Sequence, residues 1–310
     1  LLLVKRLRRI FLLSLLVASL WFASLFNPIA NLHFFADHSG TMQMELSGLV
    51  KEKYEDAYLK VDRVKLRRDG ESFPKKVLDL FNPPRLYLIT FKKNHNNFAI
   101  SYQPDGQSSR DNIGDKALFS VNSSFYDPQM NSLGEIVVDG QNFGVASGSS
   151  GYFKVIDGKA HAGPRSLFEG INGPVEFSCQ AHPSVMKNGL IWPYVVNETL
   201  NKKTWSRKTL RNMSGIDKNG NIVFLLSGDG GLLSVKEISL LAKELGFETA
   251  TLFDAGSALQ YSINARGYKM NFSAFNNQLN LGERADRYFK KLTGYRFYNT
   301  SPVFINYKAQ

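Results

Sequence analysis

"NIVFLLSGDGGLLSVKEISLLAKELGFETATLFDAGS", residues 221–257, holds a complete supersecondary unit. It begins with an unbroken apolar run, Ile222 to Leu226, of the kind that a strand covered on both faces carries. Ser234 then stands three residues before Glu237, apolar residues recur at Ile238, Leu241 and Leu245, and Gly246 closes the segment. A capping box, a one-sided apolar stripe and a C-terminal glycine predict a helix over 234–246. "FETATLF" follows as a second strand. Strand, helix and strand in that order predict a right-handed β-α-β crossover over about 221–254, joining parallel strands. Asp229 and Asp254 then each follow the carboxyl end of a strand, on the edge where open parallel sheets place their ligand clefts. Neighbouring strands would set those ends roughly 5 Å apart, and a strand between them would double that.

The surroundings of this unit are rich in strand signals. From Arg85 onward "RLYLITF", "NFAISYQ", "KALFSVN", "GEIVVDG" and "GYFKVIDG" are short, β-branched or aromatic, and bounded by Gly, Asn or Asp. Asp139-Gly140, Asp157-Gly158 and Asn219-Gly220 are tight-turn signals. The expected fold class is therefore α/β (α+β): mixed β-sheets with flanking helices. No period of twenty to fifty residues and no low-complexity tract occurs, which excludes solenoids and propellers. With 310 residues, 43% of them hydrophobic, the chain can fill a real core and is not a disordered protein.

Lys5, Arg6, Arg8 and Arg9 precede an uncharged apolar run from Ile10 to Phe26. A cationic flank before a membrane-length greasy segment marks residues 1–30 as an N-terminal membrane anchor or a signal segment, and the rest as exported. Residues 31–84, charged and amphipathic and then loop-like at "FNPPR", form a lead-in region, and residues 85–310 form the main body.

The formal net charge is +11, four units of it from those N-terminal cations. A basic exported body suits acidic partners such as phosphate-bearing glycans. The densest basic run, "NKKTWSRKTLR" at 201–211, reads as a solvated face or a phosphate-binding edge, and no nucleic-acid partner is expected. Cys179 is the one cysteine; the fold stands without an intrachain disulfide, and "VEFSCQ" makes this thiol a small buried hydrophobe. No metal pattern is present. Asp217, Asn219 and Asn221 alternate like calcium-loop ligands, but the glycine falls at the fourth position instead of the sixth, which a hairpin turn explains better. No cofactor is expected.

Four stretches, in this order, resemble the phosphodiester glycosidase family: "SVNSSFYDPQMNSLGEIVVDG" (120–140), "SCQAHPSVMKNGLI" (178–191), "TLRNMSGIDKNGNIVFLLS" (209–227) and "ISLLAKELGFETATLFDAGSA" (238–258). The resemblance covers roughly 85–265 and makes the body, 85–310, a phosphodiester glycosidase-like domain. It implies an extracytoplasmic hydrolase acting on a sugar joined through its anomeric carbon to a phosphate diester. This chain departs from the family pattern in carrying Ser123 and Ser124 after the Asn, Ala255 after the Asp, and His182 in place of a Gly. Those side chains are expected to narrow the pocket or change the substrate.

The candidate catalytic residues are Asp254 and Asp229, a carboxylate pair able to assist attack at the anomeric carbon and departure of the leaving group. Asx-turn capping is the plain alternative for Asp254, and a glycine-loop aspartate for Asp229. Candidate substrate-binding residues are Asn122, whose amide can orient a sugar hydroxyl, and Arg211, whose fork of donors fits phosphate. His182, Asp127 and, in the Asp254 turn, Gly256 and Ser257 complete the set. Arg211 reaches the same edge if "NMSGI" and "IVFLL" pair as a hairpin; Asp127-Pro128 also reads as a simple turn. A non-catalytic glycan or envelope-polymer binder that keeps the fold is the alternative reading.

Overall fold

The computed structural model describes residues 8, 10–17, 19, 40–81, 83–92, 97–113, 117–127, 129–146, 148, 150–197, 205–274 and 300–308. Most of the N-terminal segment thus lies outside the described residues; 8, 10–17 and 19 are helical. Among the described residues, no helix is long and apolar enough to cross a membrane.

The body opens with β1 (Thr41–Met42), β2 (Val50–Glu55), β3 (Leu59–Lys65), β4 (Arg68–Asp69), α1 (Phe73–Phe81), β5 (Arg85–Phe91), β6 (Phe98–Gln107), α2 (Ser109–Ile113) and β7 (Phe119–Asn122). It continues through β8 (Ile136–Val138), β9 (Gln141–Asn142), β10 (Gly151–Ile156), β11 (Lys159–Pro164), β12 (Val175–Ala181), β13 (Ser184–Lys187), β14 (Leu190–Ile191) and α3 (Pro193–Val196). The last part carries β15 (Asn212–Asp217), β16 (Ile222–Ser227), α4 (Val235–Glu244), β17 (Phe247–Leu252), β18 (Gln260–Ala265), β19 (Tyr268–Ser273) and β20 (Ser301–Tyr307).

An eight-stranded sheet runs β14, β13, β17, β15, β16, β5, β3, β2; one five-stranded sheet runs β19, β18, β7, β20, β6 and another β11, β10, β12, β8, β9. The lead-in strands β2 and β3 therefore belong to the same sheet as the strands that follow the Asp229 and Asp254 signals. The predicted helix and both strands are present, and the two strands share one sheet and one direction without being neighbours. β16 and β17 do not pair with each other. β15 lies between them and pairs antiparallel with both, Ser214 facing Phe224 on one side and Thr251 on the other. The two strands run in one direction, and the hydrogen-bonded ladder around them is antiparallel. Gly215 makes the close contact with β17 possible: a Cβ there would fall 1.9 Å from the Thr249 carbonyl oxygen.

The apolar run of β16 is covered on both faces, as its sequence predicts. Its side chains alternate between two cores. Ile222, Phe224 and Leu226 enter the one enclosed by the three large sheets, with Phe91, Phe119 and Phe153. Val223 and Leu225 enter the other, with Val235, Ile238, Leu241 and Ala242 of α4. Phe224 alone meets the rings of Phe91, Phe98, Phe119 and Phe153 at centroid distances of 6.0, 6.3, 5.1 and 6.0 Å. Truncating it to Ala would cost about 3–5 kcal/mol by cavity formation and lost transfer energy.

The α4 capping box is complete: the Ser234 hydroxyl accepts from the Glu237 N–H at 3.1 Å, and the Glu237 carboxylate accepts from the Ser234 N–H at 2.8 Å. The hairpin expected at 217–221 also forms. Asp217 Oδ1 accepts from the N–H groups of Asn219 and Asn221, so these residues build a turn.

Candidate active site

Asp254 stands two residues past the end of β17, and its backbone N–H donates to the Ser123 carbonyl at 2.9 Å. One carboxylate oxygen, Oδ1, accepts from the Ala255 N–H at 2.9 Å. The carboxyl group lines a cleft of about 860 Å³ together with His182, Arg207, Lys208, Arg211 and Ser257. Burial there pushes its pKa up to about 7, against the smaller opposing pull of the Ala255 N–H. A carboxyl group shifted to the working pH in a cleft is the usual mark of proton chemistry.

Asn122 meets Asp254, in a role the sequence did not suggest. It is fully buried. Its Nδ2 donates to the Asp254 carbonyl at 3.0 Å, and its Oδ1 accepts from the Gln260 N–H at 2.9 Å. With both ends of the amide engaged and no exposed surface, Asn122 positions the Asp254 turn and does not face a sugar. Asn212, which the sequence reading passed over, doubles the clamp: its Nδ2 donates to the Asn122 carbonyl at 2.6 Å and to the Asp254 carbonyl at 3.3 Å. Asn212 opens β15, whose first four residues are buried, and a polar side chain there needs partners.

Asp229 is not among the residues lining this cleft. Its carboxylate pairs with the Arg85 guanidinium at 2.6 Å, while the Arg85 N–H donates to the Asp229 carbonyl at 3.1 Å. The aspartate thus fastens the start of β5 to the end of β16. With β15 between β16 and β17, the two strand ends stand about two strand spacings apart, roughly 10 Å.

Arg211 lines the cleft just ahead of β15. Two backbone carbonyls fix its guanidinium, those of Leu233 at 2.8 Å and Arg207 at 2.7 Å. Burial lowers its pKa to about 10, which still leaves it cationic at neutral pH. Arg207 and Lys208 stand beside it on the same wall, so the basic run at 201–211 supplies three cations to the cleft. Lys208 also pairs with Glu237 at 3.4 Å, and Glu237 in turn binds Arg68. Trp205 of the same run packs in the α4-side core.

His182 lines the cleft as well, its backbone N–H bonded to the Leu252 carbonyl at 2.9 Å and its Nδ1 3.3 Å from the Ser150 hydroxyl. Burial holds its pKa below the usual value, which favours the uncharged ring. Gly256 and Ser257 both line the cleft, and Gly256 takes φ +65°, which favours glycine. Asp127 sits elsewhere, in a turn: Oδ1 accepts from the N–H groups of Gln129 and Asn131 and Oδ2 from the Asn131 amide, the same pattern as Asp217.

Ser123 and Ser124 are both buried, so neither narrows the Asp254 cleft as expected; Ser124 instead lines an adjoining pocket. Tyr126 is a residue the sequence did not single out. Burial and, after it, the charge of Asp254 raise its pKa to about 12, and its hydroxyl donates to the Thr300 carbonyl at 3.0 Å. Cys179 is fully buried, and burial lifts its thiol to about 12, which removes it from nucleophilic chemistry. Among the described residues no group of three or more His, Cys, Asp or Glu could hold a metal ion.

The fold and site thus amount to a β-rich body with a cleft lined by one aspartate and several basic residues. The sequence profile of the phosphodiester glycosidase family matches residues 115–287, and the chain belongs to that family. Among solved structures, the catalytic domain of zebrafish N-acetylglucosamine-1-phosphodiester alpha-N-acetylglucosaminidase, auto-inhibited by its pro-peptide, is similar with a TM-score of 0.60. The match covers 87% of this chain and 89% of that one at 12% identity. A Burkholderia pseudomallei protein described as exported matches with a TM-score of 0.51 over 88% of this chain and 98% of the other, at 8% identity. At such identities the likeness is one of fold. A comparison with curated protein sequences yields no match.

Proposed function

We propose that the protein hydrolyses a glycosyl-1-phosphodiester, releasing the sugar at its anomeric carbon, and that it works outside the cytoplasm. The observation that carries this reading is the shared cleft: Asp254, with its pKa about 7, lines the same cleft as Arg207, Lys208 and Arg211. The cations hold the phosphate oxygens and offset their charge, which makes the phosphate a good leaving group without a strong general acid. Asp254 in its ionised form takes a proton from water as that water's oxygen bonds to the anomeric carbon. The bond from this carbon to the phosphate oxygen breaks, and the phosphomonoester departs with the electron pair. A base poised near neutral pH suits this step. The export reading rests on the four cations before the apolar run from Ile10 to Phe26.

One observation favours a second reading, a glycan-binding protein without turnover. Asp229 is held by Arg85, leaving Asp254 as the carboxylate among the residues that line the cleft. Chromogenic glycosyl phosphodiesters decide between the two. Hydrolysis by the wild type, lost in Asp254→Asn with the fold retained, supports the enzyme. If a broad panel is left intact while sugar phosphates raise the melting temperature, the binder reading holds.

A further inference from the structure

A second pocket of about 400 Å³ adjoins the Asp254 cleft, and the two share Phe125 and His182 as a common wall. Its other lining side chains include Leu133, Ala181, Ser124 and Gln180. Gln180, Ser124 and one ring nitrogen of His182 are already engaged within the protein. Gln180 Oε1 accepts from the Glu135 N–H at 2.7 Å, and its Nε2 donates to the Tyr152 hydroxyl at 3.0 Å. The Ser124 hydroxyl donates to the Gln180 carbonyl at 3.4 Å, and His182 Nδ1 meets Ser150 at 3.3 Å. A sugar, with a hydroxyl on nearly every carbon, would find few partners here and would leave buried polar groups unmatched.

Leu133, which lines the pocket, is itself 57% exposed, and on a neighbouring loop Phe143 and Val145 are exposed as well, the Phe143 ring 5.4 Å from that of Tyr102. That loop presses on the segment of Leu133 and Gly134, where a Cβ on Gly144 would fall 2.3 Å from the Gly134 carbonyl oxygen. Gly134 and Gly148 of these two segments line the pocket. An apolar hollow opens beside a cationic cleft, which is the complement of an amphiphile: an anionic phosphate carrying a hydrocarbon chain.

We infer that this pocket receives a hydrocarbon aglycone, the group on the far side of the phosphate, so that the substrate is a sugar phosphodiester of an alkyl or lipid alcohol. The inference rests on the hydrolase reading above. The test uses the full chain and a series of alkyl esters of a glycosyl-1-phosphate, from methyl to octyl. With the pocket occupied by the chain, KM falls about two- to fourfold per added methylene until the pocket is filled, the step expected for burying each group. Leu133→Glu, at an exposed position that lines the pocket, flattens that dependence. A KM independent of chain length in the wild type overturns the inference while leaving the hydrolase reading intact. If no ester is hydrolysed, the hydrolase reading fails, and calorimetric Kd values for the same esters decide the pocket: tighter binding with chain length sustains it, equal binding ends it.

Discussion

The side-chain amide of Asn122 donates to the main-chain carbonyl of Asp254 at 3.0 Å, although the two residues come from different sheets. Asn122 closes β7 in a five-stranded sheet, and Asp254 follows β17 in the eight-stranded one. The same amide accepts from the Gln260 N–H, so three segments meet on one buried side chain. Replacing it by Leu leaves the Gln260 N–H without this partner and takes one of two amide donors from the Asp254 carbonyl. Asn122→Leu is expected to lower stability by about 2–4 kcal/mol, roughly one to two unsatisfied buried groups. Urea denaturation of the two proteins measures this.

Asp254 gives stability a pH dependence of defined sign. Its folded pKa, about 7, lies above the 3.8 of an unperturbed aspartate in the unfolded chain. The folded state therefore holds the extra proton between those values, and the favourable contribution is complete below about pH 4 and lost as pH rises towards 7. Asp254→Asn carries no such charge. Its melting temperature is expected to match that of the wild type near pH 4 and to exceed it by several degrees at pH 8. Thermal melts across that range check it, and equal melting temperatures at pH 8 would show the carboxylate to be well solvated.

Arg211 and Asp229 are expected to behave oppositely. Removing the Arg211 fork deletes charge-assisted hydrogen bonds to phosphate, so Arg211→Ala weakens binding of a glycosyl phosphate roughly 10- to 100-fold. Calorimetry at fixed ionic strength measures the loss.

Asp229→Asn removes a partly exposed ion pair with Arg85. It is expected to cost about 1 kcal/mol or less and to leave turnover within about twofold of the wild type. Steady-state kinetics settles the matter: a loss of turnover comparable to that of Asp254→Asn would return Asp229 to the chemistry.

Local features were legible in the sequence because local interactions create them. The helix at 235–244 follows from Ser234, Glu237 and the apolar stripe, and the hairpin from Asp217 and Asn221. The turn carrying Asp254 and the cationic stretch around Arg211 were legible in the same way. What escaped depends on partners far apart in the chain. Nothing in "NIVFLLS" says that β15 will intervene between β16 and β17, since an apolar run is compatible with either ladder. Arg85 and Asp229 are 144 residues apart, and the Asn122 amide meets a carbonyl 132 residues on. A side chain's residue type shows what it can bond, and only the folded chain shows whether that capacity is already used.

The sole thiol, Cys179, lies wholly inside the core. Maleimide dyes and spin labels, which need an accessible thiolate, will pass over it in the native protein. A cysteine introduced at the cleft-lining, exposed Ser257 would then be the single reactive handle on the native fold. A reporter attached there would sense occupancy of the cleft without any need to remove the native cysteine first.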